Sequence, residues 1–183
     1  MISIQSDRLQ LIPLDHSLLT IWKNQGRKAL ESCLQLQTNS FDLEAFYFQE
    51  MQLALNEFWI PQTHKYSFDF CWYTNWEIIL KSSSCSVGGI GFSGLPNNEG
   101  ETEIGYVVDK KFRQQGIAAE AVETLIKWGA QDKGLYKIVA ETPQENIASQ
   151  RVLQKNLFKR VGEKSIFLEK ETPLFVWEKE IKN

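Results

Sequence analysis

The hydrophobic pattern of the first part of the chain predicts one strand followed by helices. Residues 8–14 begin with alternating polar and apolar side chains, which is typical of a strand. Asp15 follows at the position of a helix N-cap, and this first helix is expected to end near Gly26. A second helix is predicted at about 27–36.

The pattern further along predicts a longer helix and then strands. This third helix is expected to begin at an Asp42 cap, with Phe41 and Phe46 spaced to contact each other across it. It is expected to stop before Pro61, because proline interrupts a helix. Residues 66–80 contain alternating aromatic and polar positions and predict one or two strands.

Beyond residue 85 the strand and helix patterns alternate clearly. Strands are predicted at residues 86–92, 101–108, 136–140, 160–168 and 174–179. A 3.6-residue period from Gln115 predicts a helix that ends near Gly134, and Asn146 is placed to cap another. The order predicts a mixed α/β fold, with a largely antiparallel sheet of about seven strands and helices on both faces.

Composition excludes several classes of protein and bounds the size. The chain has 183 residues, 43% hydrophobic and 23% charged, and its net charge is −3. This is ordinary globular composition, so we expect one domain spanning residues 1–183 rather than a disordered chain or a disulfide scaffold. Because there is no basic excess, a nucleic-acid partner is not expected.

Cysteine usage and segment hydropathy bear on metals and location. The three cysteines are far apart and form no CxxC pair, and the two histidines are not spaced to complete a zinc site. We therefore expect no metal and a reduced, cytoplasmic protein. There is no leader-like N-terminus and no run of about 18 apolar residues, so neither a signal peptide nor a membrane span is expected.

The segment at residues 107–120 carries the clearest chemical signal. It runs from a strand through a polar loop into a helix, and the helix start contains Gly116, Ala118 and Ala119. Backbone N–H groups in the first turn of a helix are unpaired, and small side chains let phosphates approach them closely. Arg113 adds a charge and a fork of donors. The segment therefore predicts a pyrophosphate site; alternatively, its small residues serve only close helix–sheet packing.

Several segments resemble one enzyme family. Residues 113–118, Arg-Gln-Gln-Gly-Ile-Ala, match the [RQ]-x-x-G-x-[GA] motif of the GCN5-related N-acetyltransferases, the GNAT family. Residues 103–108 look like the family's fourth strand. Residues 146–158 resemble the N-x-x-S-x-R-V-L-E-K-x-G-F segment of the subgroup that acetylates ribosomal-protein N-termini, and residues 6–14 are similar to that subgroup's T-E-R-L-x-L-R-P-L opening.

The resemblance is uneven along the chain. It covers most of residues 6–20 and 76–180 and is loose over about 26–72, the helical region against which family acceptors bind. Ile12 replaces the usual arginine of the opening strand. Asn156-Leu157 replaces the usual x-Gly, so the glycine that favours a left-handed helix stop is absent.

The resemblance implies acetyl-coenzyme A as cosubstrate and an amine acceptor, either a protein N-terminus or a small molecule. Its pyrophosphate would lie on the loop, and its pantetheine arm would pair with strand backbone like an added strand. The residues implied in coenzyme binding are Tyr106, Val108, Arg113, Gln114, Gln115, Gly116, Ile117, Ala118, Ala119, Asn146 and Ser149. Asn146 is equally suited to a helix N-cap, and the two roles are compatible.

Acetyl transfer to an amine requires that the ammonium lose a proton and that the departing thiolate be protonated or tolerated. Glu103 is the candidate base, acting through a water; Glu101, two residues back on the same face, is the rival, and both could be solvated surface carboxylates. Ser149 is the candidate proton donor, with Tyr106 and Tyr136 as alternatives. Because a thiol has an unperturbed pKa of ~8.5, the reaction does not require a dedicated acid.

The sequence leaves two alternatives open. The first is that the protein is a coenzyme A-binding sensor without turnover rather than an acetyltransferase. The aromatic residues of the first part either line an acceptor pocket or form a bulky core with an oligomer contact, such as that of a homodimer. These aromatic residues are Trp22, Trp59, Trp72, Trp76, Tyr47, Tyr66 and Tyr73.

Overall fold

A computed structural model describes residues 2–132, 134–167 and 171–181 of the chain. The strands are β1 (Ile4–Gln5), β2 (Leu9–Pro13), β3 (Trp76–Leu80), β4 (Cys85–Phe92), β5 (Glu101–Val108), β6 (Lys137–Pro143), β7 (Lys159–Phe167) and β8 (Glu171–Glu180). The helices are α1 (His16–Gln25), α2 (Arg27–Cys33), α3 (Ala45–Leu53), α4 (Ile60–Lys65), α5 (Ile117–Gly129) and α6 (Ile147–Lys155).

The strands form one sheet in the order β1-β2-β3-β4-β5-β6-β8-β7. Neighbouring strands run antiparallel except β5 and β6, which run parallel. The predicted mixed α/β fold with a largely antiparallel sheet is therefore confirmed, and the additional strand is the two-residue β1. The strand predicted at 160–168 is found as β7 up to Phe167, and residue 168 lies outside the described residues.

Helices cover both faces of the sheet, as predicted. Trp76 and Ile78 of β3 are buried in the main core together with the apolar side of α5. Glu77 lies between them and points to the opposite face, where Arg27 of α2 donates two hydrogen bonds of 2.8 Å to its carboxylate. Because successive side chains of a strand point to opposite faces, α5 and α2 lie on opposite sides of the sheet.

The first two helices follow the predicted pattern closely. The Asp15 side chain accepts a hydrogen bond from Leu18 N at 2.9 Å, so the N-cap prediction is confirmed. Helix α1 ends before Gly26, whose φ of 85° is one that other residues rarely adopt. Helix α2 ends at Cys33, three residues earlier than predicted, and Gln35 beyond it has a left-handed φ of 57°.

The prediction for the third helix is wrong at both ends. Asp42 does not cap it, because its carboxylate pairs with Lys110 at 3.2 Å, and α3 begins at Ala45. The helical path also continues through Pro61, because a π-helical segment at residues 54–59 joins α3 to α4. This change of helix type places Pro61 in the first turn of α4, where a missing N–H is tolerated.

The alternating aromatic residues near 66–70 do not form a strand. Tyr66 instead stacks on Tyr73, with ring centroids 4.4 Å apart, and the chain between them contains a 3-10 turn at Phe70–Trp72. Phe68 is 99% exposed, which no half-buried strand would leave. The strand predicted in the second half of this region is present as β3.

Candidate active site

The sheet opens between its two parallel strands. Strands β5 and β6 are paired only from Glu101 with Lys137 to Glu103 with Val139. Beyond that point β5 continues against β4 as far as Val108, and β6 continues against β8. The two strands therefore diverge, and we call the opening beyond Glu103 the cleft.

The backbone of β5 is left open toward the cleft. On its other edge, Asp109 N donates to Val87 O of β4 at 3.0 Å and Glu103 O accepts from Ser93 N at 2.9 Å. Because peptide groups of alternate residues point to opposite edges of a strand, the N–H and C=O of Tyr106 and the N–H of Val108 face the cleft, while Val108 O accepts a hydrogen bond from Arg113. An extended ligand could pair with this edge as an additional strand would.

A second set of open donors lies at the end of β5. Residues 114–119, which we call the α5 entry segment, comprise the last residues before α5 and its first three residues. The first helical hydrogen bond runs from Glu120 N to Gly116 O. Within the described part of the chain, the backbone N–H groups of this segment have no hydrogen-bond acceptor. Unpaired N–H groups at the positive end of a helix are suited to an anion such as a phosphate.

The backbone of the α5 entry segment is held in an uncommon conformation. Gln114 and Gly116 have left-handed φ values of 62° and 78°. Such a φ is costly for glutamine, and strained residues of this kind cluster at binding sites. Ile117 and Ala119 are both buried, so close packing and a row of unpaired N–H groups are both present here.

Arg113 is engaged within the protein. Its guanidinium makes a bidentate pair with Glu44 at 2.6 and 2.7 Å, and its Nε donates to Val108 O at 2.9 Å. The hydrogen bonds from Arg113 lower the pKa of Glu44 to about 2. Arg113 therefore joins the start of α3 to the end of β5, and only its remaining N–H bonds are left for a ligand.

Asn146 caps α6, as the sequence predicts for one of its two roles. Its Oδ1 accepts from Ser149 N at 3.0 Å, which caps α6, and its Nδ2 donates to Tyr47 Oη at 2.8 Å. The amide is therefore fixed in orientation at the cleft end of β6. Tyr47 comes from α3, so the helical region at 26–72 reaches the cleft through this residue.

Ser149 and Tyr106 meet between α6 and β5. Tyr106 Oη lies 2.8 Å from Ser149 Oγ and 3.2 Å from Ser149 O. Burial raises the pKa of Tyr106 to about 12, so its hydroxyl keeps its proton. Tyr136, the other tyrosine considered as an acid, is half-exposed and binds Gly100 O through its backbone N, at the opposite end of the paired strands.

The two candidate bases are in different electrostatic environments. Glu101 and Lys137 form an ion pair, and Lys137 also contacts Glu178. Glu103 lies at the apex of the cleft without such a partner among the described residues. Neighbouring atoms keep water away from the Glu103 carboxylate, and this desolvation raises its pKa. The like charge of Glu141 raises the pKa further, and the charge of Lys164 lowers it.

Most of the aromatic residues considered for an acceptor pocket belong to the core. Trp22, Trp72 and Trp76 are buried, and only Tyr47 is bonded at the cleft. Glu44 is a site residue that the sequence did not indicate. Nothing in a local pattern could have shown its pairing with Arg113, which lies 69 residues away.

The described residues contain neither a membrane-spanning helix nor a cluster of metal ligands. No helix there is both long and apolar enough to cross a bilayer. Among the same residues, no three His, Cys, Asp or Glu side chains are grouped as ligands of a metal ion would be.

A family model agrees with the resemblance seen in the sequence. The model described as the acetyltransferase (GNAT) domain matches residues 34–159. This match includes the α5 entry segment, the Asn146 cap and most of the helical region that resembles the family only loosely.

Comparisons with individual proteins give the same picture. The chain is 29% identical over 155 residues to the uncharacterized N-acetyltransferase YjdG of Bacillus subtilis, which covers 85% of this chain and 88% of the relative. The fold is similar to that of a ribosomal-protein-S5-alanine acetyltransferase from Vibrio fischeri, with a TM-score of 0.67, 18% identity and coverage of 100% and 98%. It is also similar to the ribosomal L7/L12 α-N-protein acetyltransferase RimL in complex with coenzyme A, with a TM-score of 0.64, 18% identity and coverage of 98% of both chains.

Proposed function

Because this chain belongs to the GNAT acetyltransferase family, we propose that it transfers the acetyl group of acetyl-coenzyme A to a primary amine. The transfer is a direct attack of the amine, assisted by a general base. The observation that carries the proposal is that two sets of unpaired backbone groups lie next to each other. The free edge of β5 leads directly into the unpaired N–H groups of the α5 entry segment.

The shape of this junction fits coenzyme A. An extended pantetheine arm can pair with the cleft-facing backbone of Tyr106 and Val108. The pyrophosphate can accept hydrogen bonds from the α5 entry segment, where Gly116 carries no side chain to block its approach. Asn146 and Ser149 then line the end of the arm where the thioester lies.

The two sides of the sheet separate the base from the proton donor. Along β5, Glu103 points to one face, and Tyr106, which contacts Ser149, points to the other. An acceptor amine approaching on the Glu103 side can therefore add to the acetyl carbonyl carbon, while the sulfur leaves toward Ser149. This arrangement suits direct attack by the amine, through a tetrahedral intermediate and without an acyl-enzyme.

Different groups of the chain then carry out the separate steps of the reaction. When bound, acetyl-coenzyme A supplies an acetyl thioester. Glu103 takes a proton from the acceptor ammonium through a water molecule, and a backbone N–H on the cleft-facing edge of β5 donates to the oxygen on which negative charge develops. As the N–C bond forms and the C–S bond breaks, Ser149 Oγ–H passes a proton to sulfur and regains one from solvent.

Glu103 is a better base than Glu101 for two reasons. Glu103 lies at the apex of the cleft and its raised pKa brings it closer to neutral pH, where a base is most effective. Glu101 lies two residues further from the cleft and its carboxylate is held by Lys137.

The acceptor is an amine, and the named relatives suggest its class. RimL and the Vibrio fischeri protein are described as acetyltransferases of ribosomal proteins. We therefore include protein N-terminal amines beside small-molecule amines as acceptors. The single domain over residues 1–183, the homodimer and the cytoplasmic location stay predictions from the sequence.

The proposal is tested by a thermal shift with acetyl-coenzyme A together with a thiol-release assay. Ligand at 100 times its dissociation constant should add about 2.7 kcal/mol of stability. Thiol release is then measured against N-terminal peptides, polyamines, amino acids and amine drugs. The matched variant is Glu103→Gln, which should bind the coenzyme as tightly as the wild type and release thiol far more slowly.

The outcomes separate the candidate functions. Stabilisation with amine-dependent thiol release supports the enzyme. Stabilisation without release for any acceptor in the panel favours the sensor. No shift at saturating ligand contradicts both.

A further inference from the structure

The opening segment of the chain binds the start of α5, and no step of the proposed reaction uses this contact. Ser6 Oγ and Arg8 N donate to Glu120 Oε1 at 2.6 and 3.0 Å. The Arg8 guanidinium binds Glu120 Oε2 through Nε at 2.7 Å and through Nη2 at 2.6 Å. One carboxylate in the first turn of α5 therefore holds the whole turn at residues 6–8.

Arg8 also reaches into the α5 entry segment itself. Its Nη1 donates to the carbonyl oxygen of Gln115 at 2.9 Å. A Cβ atom built on Gly116 would lie 3.5 Å from Nη2 of the same guanidinium. The planar guanidinium of Arg8, which we call its fork, thus binds both the Glu120 carboxylate and the Gln115 carbonyl and lies against Gly116.

The Gln115 carbonyl and the Gly116 N–H belong to one peptide plane. In a trans peptide these two groups point in opposite directions. When Arg8 holds the carbonyl, the N–H of Gly116 must therefore point away from Arg8. If the plane turned over, a carbonyl oxygen would replace a hydrogen-bond donor in the row of N–H groups.

The local backbone does not prevent this inversion. Turning the plane changes φ of Gly116, and glycine adopts positive and negative φ about equally well. The observed φ of 78° is therefore one of two accessible states, and a contact outside the segment can decide between them. Arg8 is the side chain that binds this peptide among the described residues.

Glu120 keeps the guanidinium in place across a wide range of pH. Burial alone would raise the pKa of this carboxyl, but the hydrogen bonds from Ser6 and Arg8 and the charge of Arg8 outweigh it and lower the pKa. The carboxylate also lies at the positive end of the α5 dipole, which favours its charged form.

We propose that Arg8 is a positioning residue for the coenzyme, which fixes the Gln115–Gly116 peptide so that the α5 entry segment presents N–H groups only. The inference rests on the proposed function, since it assumes that this segment binds phosphate. It assigns a role to the Ser6-Asp7-Arg8 opening, which is otherwise only a point of sequence resemblance. It predicts that Arg8 affects donor binding and not the chemical step.

The experiment compares three variants by coenzyme A titration and by steady-state kinetics. Arg8→Gln removes the fork, and Arg8→Lys keeps the charge but cannot span both oxygen partners. The control is Lys81→Gln, because Lys81 Nζ donates to Ser6 O at 2.7 Å and holds the same turn without touching the α5 entry segment.

We expect Arg8→Gln to raise the dissociation constant of coenzyme A on the order of tenfold, the effect of losing one hydrogen bond to a charged group. At saturating acetyl-coenzyme A its kcat should stay within about twofold of the wild type. Arg8→Lys should weaken binding too, and Lys81→Gln should not.

Three results would overturn the proposal. Unchanged coenzyme affinity in Arg8→Gln shows that the contact is only structural. Full affinity in Arg8→Lys shows that charge is sufficient and that the peptide is not positioned by the fork. If the wild type does not bind coenzyme A at all, the proposed function fails and this inference fails with it.

Discussion

Ser149 Oγ lies 2.8 Å from Tyr106 Oη, and this contact joins the first turn of α6 to the middle of β5. The tertiary structure brings these two hydroxyls together on one side of the cleft. Because the pKa of Tyr106 is raised to about 12, the tyrosine stays neutral and orients the serine rather than giving up its own proton.

Replacement of Ser149 tests the proton donor. We expect Ser149→Ala to lower kcat about 10²-fold, because a positioned acid contributes at least that factor. Tyr106→Phe should lower kcat less, since it removes only the group that orients the serine. Steady-state thiol release at saturating donor measures both, and full activity of Ser149→Ala would show that the thiolate leaves without an acid.

The pH dependence of kcat/KM tests the base. The raised pKa of Glu103 means that its carboxyl is protonated over more of the acidic range than an ordinary glutamate, and a protonated carboxyl cannot accept the ammonium proton. Activity should therefore fall as pH decreases through that raised pKa. Glu103→Gln should lose this acidic limb and about 10² to 10⁴ in rate.

Glu101→Gln is the matched control for that experiment. It alters the ion pair with Lys137 on the same strand face but does not lie at the apex of the cleft. We expect it to keep the acidic limb and most of the activity. If Glu101→Gln is instead the inactive variant, the assignment of the base to Glu103 is wrong.

Two glycines with positive φ allow a paired test of the coenzyme site. Gly116 and Gly26 have φ values of 78° and 85°, so alanine at either position should cost about 1 kcal/mol or more of stability. Only Gly116→Ala should also weaken coenzyme A binding, because Gly26 lies between α1 and α2. Chemical denaturation and coenzyme titration of both variants measure the two effects, and equal effects on binding would contradict the site.

The buried carboxyl of Glu31 predicts how stability depends on pH. Glu31 is only 1% exposed, and its Oε2 has no hydrogen-bond partner among the described residues. Burial raises its pKa, and the charge of Arg27 only partly offsets this. The folded state therefore favours the protonated form, and its contribution to stability is lost as pH rises from the ordinary glutamate value through the raised pKa.

Glu31→Gln should remove that pH dependence. The free energy of unfolding, measured by denaturant at pH 5 and pH 8, should fall less between the two pH values than in the wild type. The exposed Glu123→Gln variant is the control, since Glu123 forms only a surface pair with Lys127. An identical pH profile for wild type and Glu31→Gln would show that Glu31 does not cause the loss.

Local patterns were sufficient where the structure depends on neighbouring residues. The strand at 101–108 and the Asn146 cap are found as predicted, and the helix predicted from Gln115 to near Gly134 is present as the shorter Ile117–Gly129. Each follows from side-chain periodicity or from a cap three residues away, and both act within one or two turns of the chain. The third helix was mispredicted because a π-helical segment and the Lys110–Asp42 pair overrode these local rules.

The sequence by itself determined the order of elements and the chemical character of the α5 entry segment, because both are encoded in contiguous residues. Only the tertiary structure decided where β5 and β6 separate, because that point depends on how each strand pairs with its other neighbour. The same holds for Glu44 at Arg113 and for Arg8 at Gln115, contacts between residues 69 and 107 positions apart. Such contacts form when distant segments pack together, and the spacing of residues within one segment does not predict them.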